Sequence, residues 1–296
     1  MVALGGNALL RRGEPADFET QRGHAAAAVE AVAALARELE LIITHGNGPQ
    51  VGLLALQAEA YEEVPAYPLD VLGAESEGMI GYLLEQELAN AVHDRSVATL
   101  LTQVVVAVDD PAFGEPTKPI GPVYDDATAE RLRAERGWAM VAERAGQRRA
   151  VASPEPVSLV ELEAIRVLVE AGVLVVCAGG GGIPVITEGG RLRGVEAVVD
   201  KDLVAALLAR ELGADALLLL TDVAAVETDW GTPSARPLAK IGAAELPALE
   251  LESGSMGRKV EAARRFATAT GGLAAIGALE DAAAILHGER GTRIEP

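Results

Sequence analysis

Cysteine, lysine and aromatic residues are all scarce in this 296-residue chain. The single cysteine, Cys177, excludes an internal disulfide and a cysteine-built zinc cluster. Aromatics make up 3% of the residues while 50% are apolar, so the core has to be built from Ala, Val, Leu and Ile. That apolar share excludes an intrinsically disordered chain. No run of about 18 uninterrupted apolar residues is present, so no membrane-spanning helix is expected. The first residues lack the charged start and long apolar run of a signal peptide, and a cytoplasmic protein is expected. Positive charge is short too: 25 Lys and Arg against 44 Asp and Glu give a net charge of −19. That balance argues against sequence-independent nucleic-acid binding and against docking on an anionic membrane. Only four of the basic residues are lysines: Lys118, Lys201, Lys240 and Lys259.

What is present is a regular alternation of apolar runs and amphipathic stretches. Residues 2–4, 41–44, 97–108 (one long strand or two short ones), 173–178, 216–220 and 273–276 read as strands. Residues 18–39, 76–92, 158–170, 200–212 and 257–269 read as helices. Ser158 is expected to cap the third of these helices, with Glu161 in the capping-box position. Strands alternating with helices indicate an α/β fold with a mainly parallel sheet. The strands are continuously apolar, which suits a sheet covered on both faces. Residues 109–156 break the pattern with six prolines and many charges. A structureless stretch of that length is uncommon in a compact domain, so a small inserted lobe over the site is expected.

Three of the strands run into glycine-rich turns: Gly5-Gly6, Gly46-Asn47-Gly48 and Gly179-Gly180-Gly181-Gly182. Ligands of open α/β sheets bind outside the carboxyl ends of the strands. Glycine there lets backbone N–H groups approach an anion, so three such turns point to a phosphate or carboxylate site. The Walker-type, protein-kinase and dinucleotide-binding signatures are all missing.

The lysines sharpen this. Lys201 and Lys259 fall at the starts of predicted helices, where a cation is unfavourable unless an anion lies nearby. Lys118 is pinned in Pro116-Thr117-Lys118-Pro119. Their retention in an arginine-using chain points to a requirement for a compact ammonium. Lys240 lies in an ordinary polar stretch and reads as a surface residue. Phosphoryl transfer needs cations around a group whose charge is spread over its oxygens, and little covalent chemistry from the protein. The four histidines show no metal-ligand spacing, and a structural hydrogen bond is expected for His45. Lysines carrying the site, with Asp202 orienting them, is the economical reading.

Taken together, these segments resemble the carbamate kinases of the amino acid kinase superfamily. The carrying motifs are Val2-Ala3-Leu4-Gly5-Gly6-Asn7-Ala8, His45-Gly46-Asn47-Gly48-Pro49-Gln50-Val51-Gly52, Gly78-Met79-Ile80-Gly81-Tyr82 and Leu101-Thr102-Gln103-Val104-Val105-Val106. Pro116-Thr117-Lys118-Pro119-Ile120-Gly121-Pro122, Gly179-Gly180-Gly181-Gly182-Ile183-Pro184-Val185, Gly194-Val195-Glu196-Ala197-Val198 with Asp200-Lys201-Asp202, and Gly254-Ser255-Met256 before Lys259 complete the set.

The resemblance implies a three-layer αβα sandwich with a mainly parallel open sheet, and a homodimer. It implies an N-terminal lobe over residues 1–190, a protruding subdomain over 109–156, and a nucleotide-side lobe over 191–296. The implied reaction is reversible phosphoryl transfer between ATP and carbamate, running toward ATP in arginine catabolism. Lys201 and Lys259 would stabilise the transferring group, Asp202 would hold them, and Lys118 would reach over the carbamate. Gly5, Gly6, Asn7, Gly46, Asn47, Gly48, Gly180 and Gly181 would bind phosphate or carbamate. Thr221, Asp222, Val223, Ser255 and Met256 would lie near the nucleotide, and Mg²⁺ would be held mainly by phosphate oxygens.

Some positions depart from the family pattern. Glu77 stands where glutamine is common, and Arg258 replaces a proline. Residues 145–149 differ from the family's Gly-Arg-Gly-Trp-Arg-like element. Two alternatives carry weight beside the kinase of carbamate. One is an enzyme of the same fold acting on another small carboxylate or a phosphonate. The other is a non-catalytic nucleotide-binding module.

Overall fold

The structure is a computed structural model that describes residues 1–11, 13–143, 146–245 and 255–296, without the side chain of Asn7. Eight strands form its central sheet: β1 (Val2–Leu4), β2 (Ile42–His45), β3 (Val97–Leu100), β4 (Leu174–Cys177), β5 (Ala216–Thr221), β6 (Lys240–Gly242), β7 (Leu273–Ala278) and β8 (Thr292–Glu295). Their order is β6-β8-β7-β5-β1-β2-β4-β3. The six strands from β7 to β3 are mutually parallel. β8 runs antiparallel to β7, and β6 is parallel to β8.

The helices are α1 (Phe18–Glu38), α2 (Gly48–Ala60), α3 (Leu69–Ala91), α4 (Asp126–Arg136), α5 (Leu162–Glu170), α6 (Lys201–Leu212), α7 (Ser255–Thr270) and α8 (Ala282–Leu286). Alternate residues of each strand point to opposite faces. Leu217, Leu219 and Ile276 join Val204 and Leu208 of α6, Phe266 of α7 and Ile165 of α5 in one apolar layer. Leu218, Leu220 and Ile43 meet Val32 of α1, Leu84 and Leu88 of α3, and Ile285 of α8 in the other. Both faces are therefore covered, which is why the strands read as continuous apolar runs.

The 97–108 run is two strands in different sheets. Its second half, Gln103–Val106, lies in a four-stranded sheet with Arg191–Gly194, Ile183–Glu188 and Pro156–Leu159. That sheet overturns the expected cap at Ser158, which lies in its edge strand. The Glu161 carboxylate instead accepts from the Gln103 N–H at 2.6 Å and from its Nε2 at 2.9 Å. α3 begins at Leu69, well before its expected start at Ser76.

Within residues 109–156, the strands Lys118–Tyr124, Gly146–Val151 and Ala139–Glu143 form an antiparallel sheet with α4 alongside. Ile120 and Val151 of this unit pack on Val51 of α2 and on Leu69 and Leu72 of α3. The contact seats Lys118 above the strand ends.

Candidate active site

β5, β1, β2 and β4 are neighbours in the sheet, so their carboxyl ends open onto one place. The Gly5 N–H donates to Leu220 O at 2.8 Å, and the Gly46 N–H to Leu4 O at 3.0 Å. A Cβ on Gly46 would lie 2.7 Å from the Gly6 nitrogen and 3.3 Å from Cε of Lys201. A Cβ on Gly180 would lie 2.1 Å from Nδ2 of Asn47, and one on Gly181 would lie 2.4 Å from Val199 O. Gly180, Gly181 and Gly182 have φ of 68°, 96° and 74°, the left-handed region that favours glycine. The three turns thus close on one another and on the start of α6. Only the turn at Gly46–Gly48 feeds directly into an α-helix. Gly6 opens a short 3-10 turn, and the Gly179–Gly182 turn runs into the strand Ile183–Glu188.

Asp200 caps α6: its Oδ1 accepts from the N–H groups of Asp202 at 3.1 Å and Leu203 at 3.4 Å. Its Oδ2 accepts from Lys118 Nζ at 2.7 Å, across from the inserted lobe. The next two residues complete the charge pattern. Lys201 Nζ lies 2.5 Å from Asp202 Oδ1, and Lys259 Nζ, from the first turn of α7, lies 3.0 Å from Asp202 Oδ2. Lys259 also donates to Ser255 Oγ at 3.4 Å. Two helix starts therefore carry their lysines against one shared carboxylate, which offsets part of their charge.

The electrostatics follow from burial and pairing. Burial, the largest influence on Asp200, would raise its pKa, but Lys118 and Lys201 outweigh it and hold the carboxyl far below its usual range. Asp202 is likewise lowered against its burial, by Lys201 and Lys259. Burial opposes the charge of Lys201, yet Asp202 and Asp200 carry its pKa upward. Lys259 goes the other way: burial, then the charge of Lys201, brings it down to about 8.

Thr221 ends β5 beside Gly5, and its hydroxyl donates to Asp222 Oδ1 at 3.0 Å. Val223 follows in the same loop, and Met256 packs on the apolar layer under α6 and α7. Gly48 opens α2, and Asn47 gives its Nδ2 to Ser76 Oγ at 2.8 Å instead of capping that helix. The Asn7 side chain and Gly254 of the last motif lie outside the described residues. His45 is buried, and its Nδ1 lies 3.2 Å from Gly46 O. Burial pushes the ring's pKa down to about 4. Lys240 pairs with Glu295 on an exposed edge.

Sequence reasoning gave no role to Asp200, although an aspartate directly before a helix start is a cap signal. It also gave none to Ser76 or Thr102, for which no local signal exists. Among the described residues, no group of three His, Cys, Asp or Glu side chains could hold a metal ion. Asp200 and Asp202 are both occupied by lysines.

Residues 1–276 match the amino acid kinase family. A carbamate kinase of Rhizobium meliloti (strain 1021) is 53% identical over 298 residues, covering 99% of this chain and 92% of that one. The chain belongs to the carbamate kinases of the amino acid kinase family. A carbamate kinase of Escherichia coli (strain K12) is 50% identical, with 99% and 98% covered. Among solved structures, carbamate kinase from Giardia lamblia bound to AMP-PNP superposes with a TM-score of 0.91 at 39% identity, over 99% of this chain and 97% of that one. The mostly parallel sheet with helices on both faces is the fold of these relatives, and the chain is a phosphotransferase.

Proposed function

We propose that the enzyme transfers a phosphoryl group reversibly between ATP and carbamate, giving ADP and carbamoyl phosphate. The observation that carries this is the lysine cluster: Lys201 and Lys259 on the two oxygens of Asp202, with Lys118 brought to Asp200 from the inserted lobe. A carbamate oxygen attacks the γ-phosphorus, and the bond to the bridging oxygen breaks, its electron pair leaving with ADP. The nucleophile is already an anion, so no general base is required. Charge grows on the equatorial and bridging oxygens, where fixed cations are most effective.

In this reading Lys201 and Lys259 meet the transferring group, and Asp202 orients them. Lys118 reaches over the carbamate. Gly5, Gly6, Asn7, Gly46, Asn47, Gly48, Gly180 and Gly181 border the phosphate or carbamate; Gly5, Gly46 and Gly181 do so by close approach, because their N–H groups already donate to Leu220 O, Leu4 O and Ala178 O. Thr221, Asp222, Val223, Ser255 and Met256 border the nucleotide. Mg²⁺ enters with the nucleotide and offsets phosphate charge. Homodimerisation is supported by exposed Val71, Met79 and Tyr82 on α3 and exposed Leu101 beside the edge strand β3. A cytoplasmic setting goes with the use of ATP and ADP. ATP formation during arginine breakdown is proposed from the motif resemblance.

The direct test is ATP formation from ADP, Mg²⁺ and carbamoyl phosphate. Folded protein without turnover across pH and Mg²⁺ concentration would overturn the reading. Preferential phosphorylation of acetylglutamate or a phosphonate would reassign the acceptor.

A further inference from the structure

Glu77 stands on α3 with none of its surface exposed. Among the described residues no lysine, arginine or histidine forms an ion pair with it. Its partners are backbone donors from two other segments. Oε1 accepts the N–H of Gly179 at 2.8 Å, and Oε2 accepts the N–H of Thr102 at 3.2 Å. Thr102 repeats the pattern: its Oγ1 accepts the N–H of Ala178 at 2.9 Å and donates to Leu100 O at 3.0 Å. Two successive N–H groups of the glycine turn are therefore held by the side chains of two residues that are themselves joined through the Thr102 N–H.

That turn has reason to be held. Ala178 lies at φ 51°, a left-handed conformation unfavourable for a residue with a Cβ. Packing leaves it no slack. A Cβ on Gly179 would lie 2.3 Å from the His45 ring and 3.0 Å from Cγ of Glu77. The following glycines press on Asn47 and on Val199 just before α6. A shift of the turn would be passed to Asn47 and to the backbone that presents Lys201.

We propose that Glu77 is a positioning residue for phosphoryl transfer: its buried carboxyl group, together with Thr102, fixes the Gly179–Gly182 turn against Asn47 and the start of α6. It touches no substrate and acts through the turn. The inference rests on the phosphotransfer reading above, and the wild-type assay separates the two: absence of turnover there refutes the reaction, not the role of Glu77.

The test replaces the acceptor while keeping the volume. Glu77→Leu leaves both N–H groups without a partner, and kcat is expected to fall about tenfold to a hundredfold, since small misplacements near the chemistry have effects of that size. KM for ADP is expected to stay within about threefold, because the nucleotide-side residues are untouched. Glu77→Gln keeps one acceptor oxygen and is expected to recover most of kcat. A folded Glu77→Leu enzyme with wild-type kcat would overturn the proposal, as would a Glu77→Gln enzyme no better than Glu77→Leu. Should Glu77→Leu not fold, Thr102→Val removes the acceptor for Ala178, and with it the donor to Leu100 O, while leaving Glu77 in place. It is expected to lower kcat severalfold, and wild-type kcat in that variant would equally overturn the proposal.

Discussion

Lys259 and Asp202 face each other 3.0 Å apart, Nζ to Oδ2, with 4% of either side chain exposed. The second oxygen of the same carboxylate belongs to Lys201, at 2.5 Å. One anion is thus shared by two cations, and the three side chains should fail as a unit. Lys201→Ala is expected to lower kcat about 10²- to 10³-fold, as loss of a single electrostatic stabiliser does elsewhere. Asp202→Asn removes the ion pair of both ammoniums, leaving Lys201 only the neighbouring charge of Asp200, and should lower kcat at least as much. The double variant should lose far less than the product of the two, because the groups share one interaction. Steady-state kinetics of the three variants test this. Near-normal turnover of Lys201→Ala would remove that lysine from the transition state.

The same burial sets a pH limit. Lys259 is down at about 8, so it loses its proton as pH rises through that value. The rate of the wild-type enzyme should fall across that window while the protein stays folded. Stability moves the opposite way. The unfolded chain holds this proton up to a pKa of about 10.4, so between the two values it binds more protons than the folded one. The contribution of Lys259 to stability is therefore complete above the unfolded pKa and is lost as pH falls through about 8. Lys259→Arg keeps a cation throughout and should lack the alkaline limb, at lower activity. A wild-type rate that is flat to about pH 10, near the unperturbed lysine value, would show that Lys259 does not titrate in this range.

Much of this arrangement was legible before the fold. β1, β2, β4, β5 and β7 read as strands because helices cover both their faces and leave each run apolar. β6 and β8 did not. They are short, partly polar strands at one end of the sheet, β6 at its edge and β8 next to it, whose register comes from pairing with β7 and with each other. α2 was hidden behind Gly48-Pro49, which reads as a turn although proline suits the first turn of a helix. Lysine scarcity exposed Lys118, Lys201 and Lys259 as candidates. The partners of Lys118 and Glu77 could not be read. Asp200 and Gly179 lie 82 and 102 residues away from them, and only the inserted lobe and the sheet bring these groups together.

The glycines of the site make a steric prediction. A Cβ at position 46 would lie 2.7 and 2.8 Å from the Gly6 nitrogen and Cα, which are backbone atoms and cannot rotate aside. Gly46→Ala must push β2 away from β1 and disturb Lys201 Cε at 3.3 Å. Overpacking of this kind costs roughly 1–3 kcal/mol. The thermal midpoint should drop by several degrees, and kcat should fall further than stability alone explains. Gly13→Ala is the control for backbone strain, since its φ is 85° and no atom lies within 4 Å of the added carbon. Equal activities for the two variants would mean that the contact between the turns has no part in catalysis.

Asp200 does two jobs, and one substitution separates them. As the cap of α6 it accepts two backbone N–H groups, and as an anion it receives Lys118. Serine is as good a cap as aspartate but carries no charge. Asp200→Ser should keep most of the stability while changing the kinetics, because Lys118 is released from its partner. Lys118 is partly exposed, so water can accept the freed ammonium at little cost. Asp200→Ala loses the cap as well and should be less stable than the serine variant by about 0.5–2 kcal/mol. Denaturant unfolding and steady-state kinetics on the same preparations decide it. If the serine variant is as unstable as the alanine variant, the charge of Asp200, and not its cap, secures the start of α6.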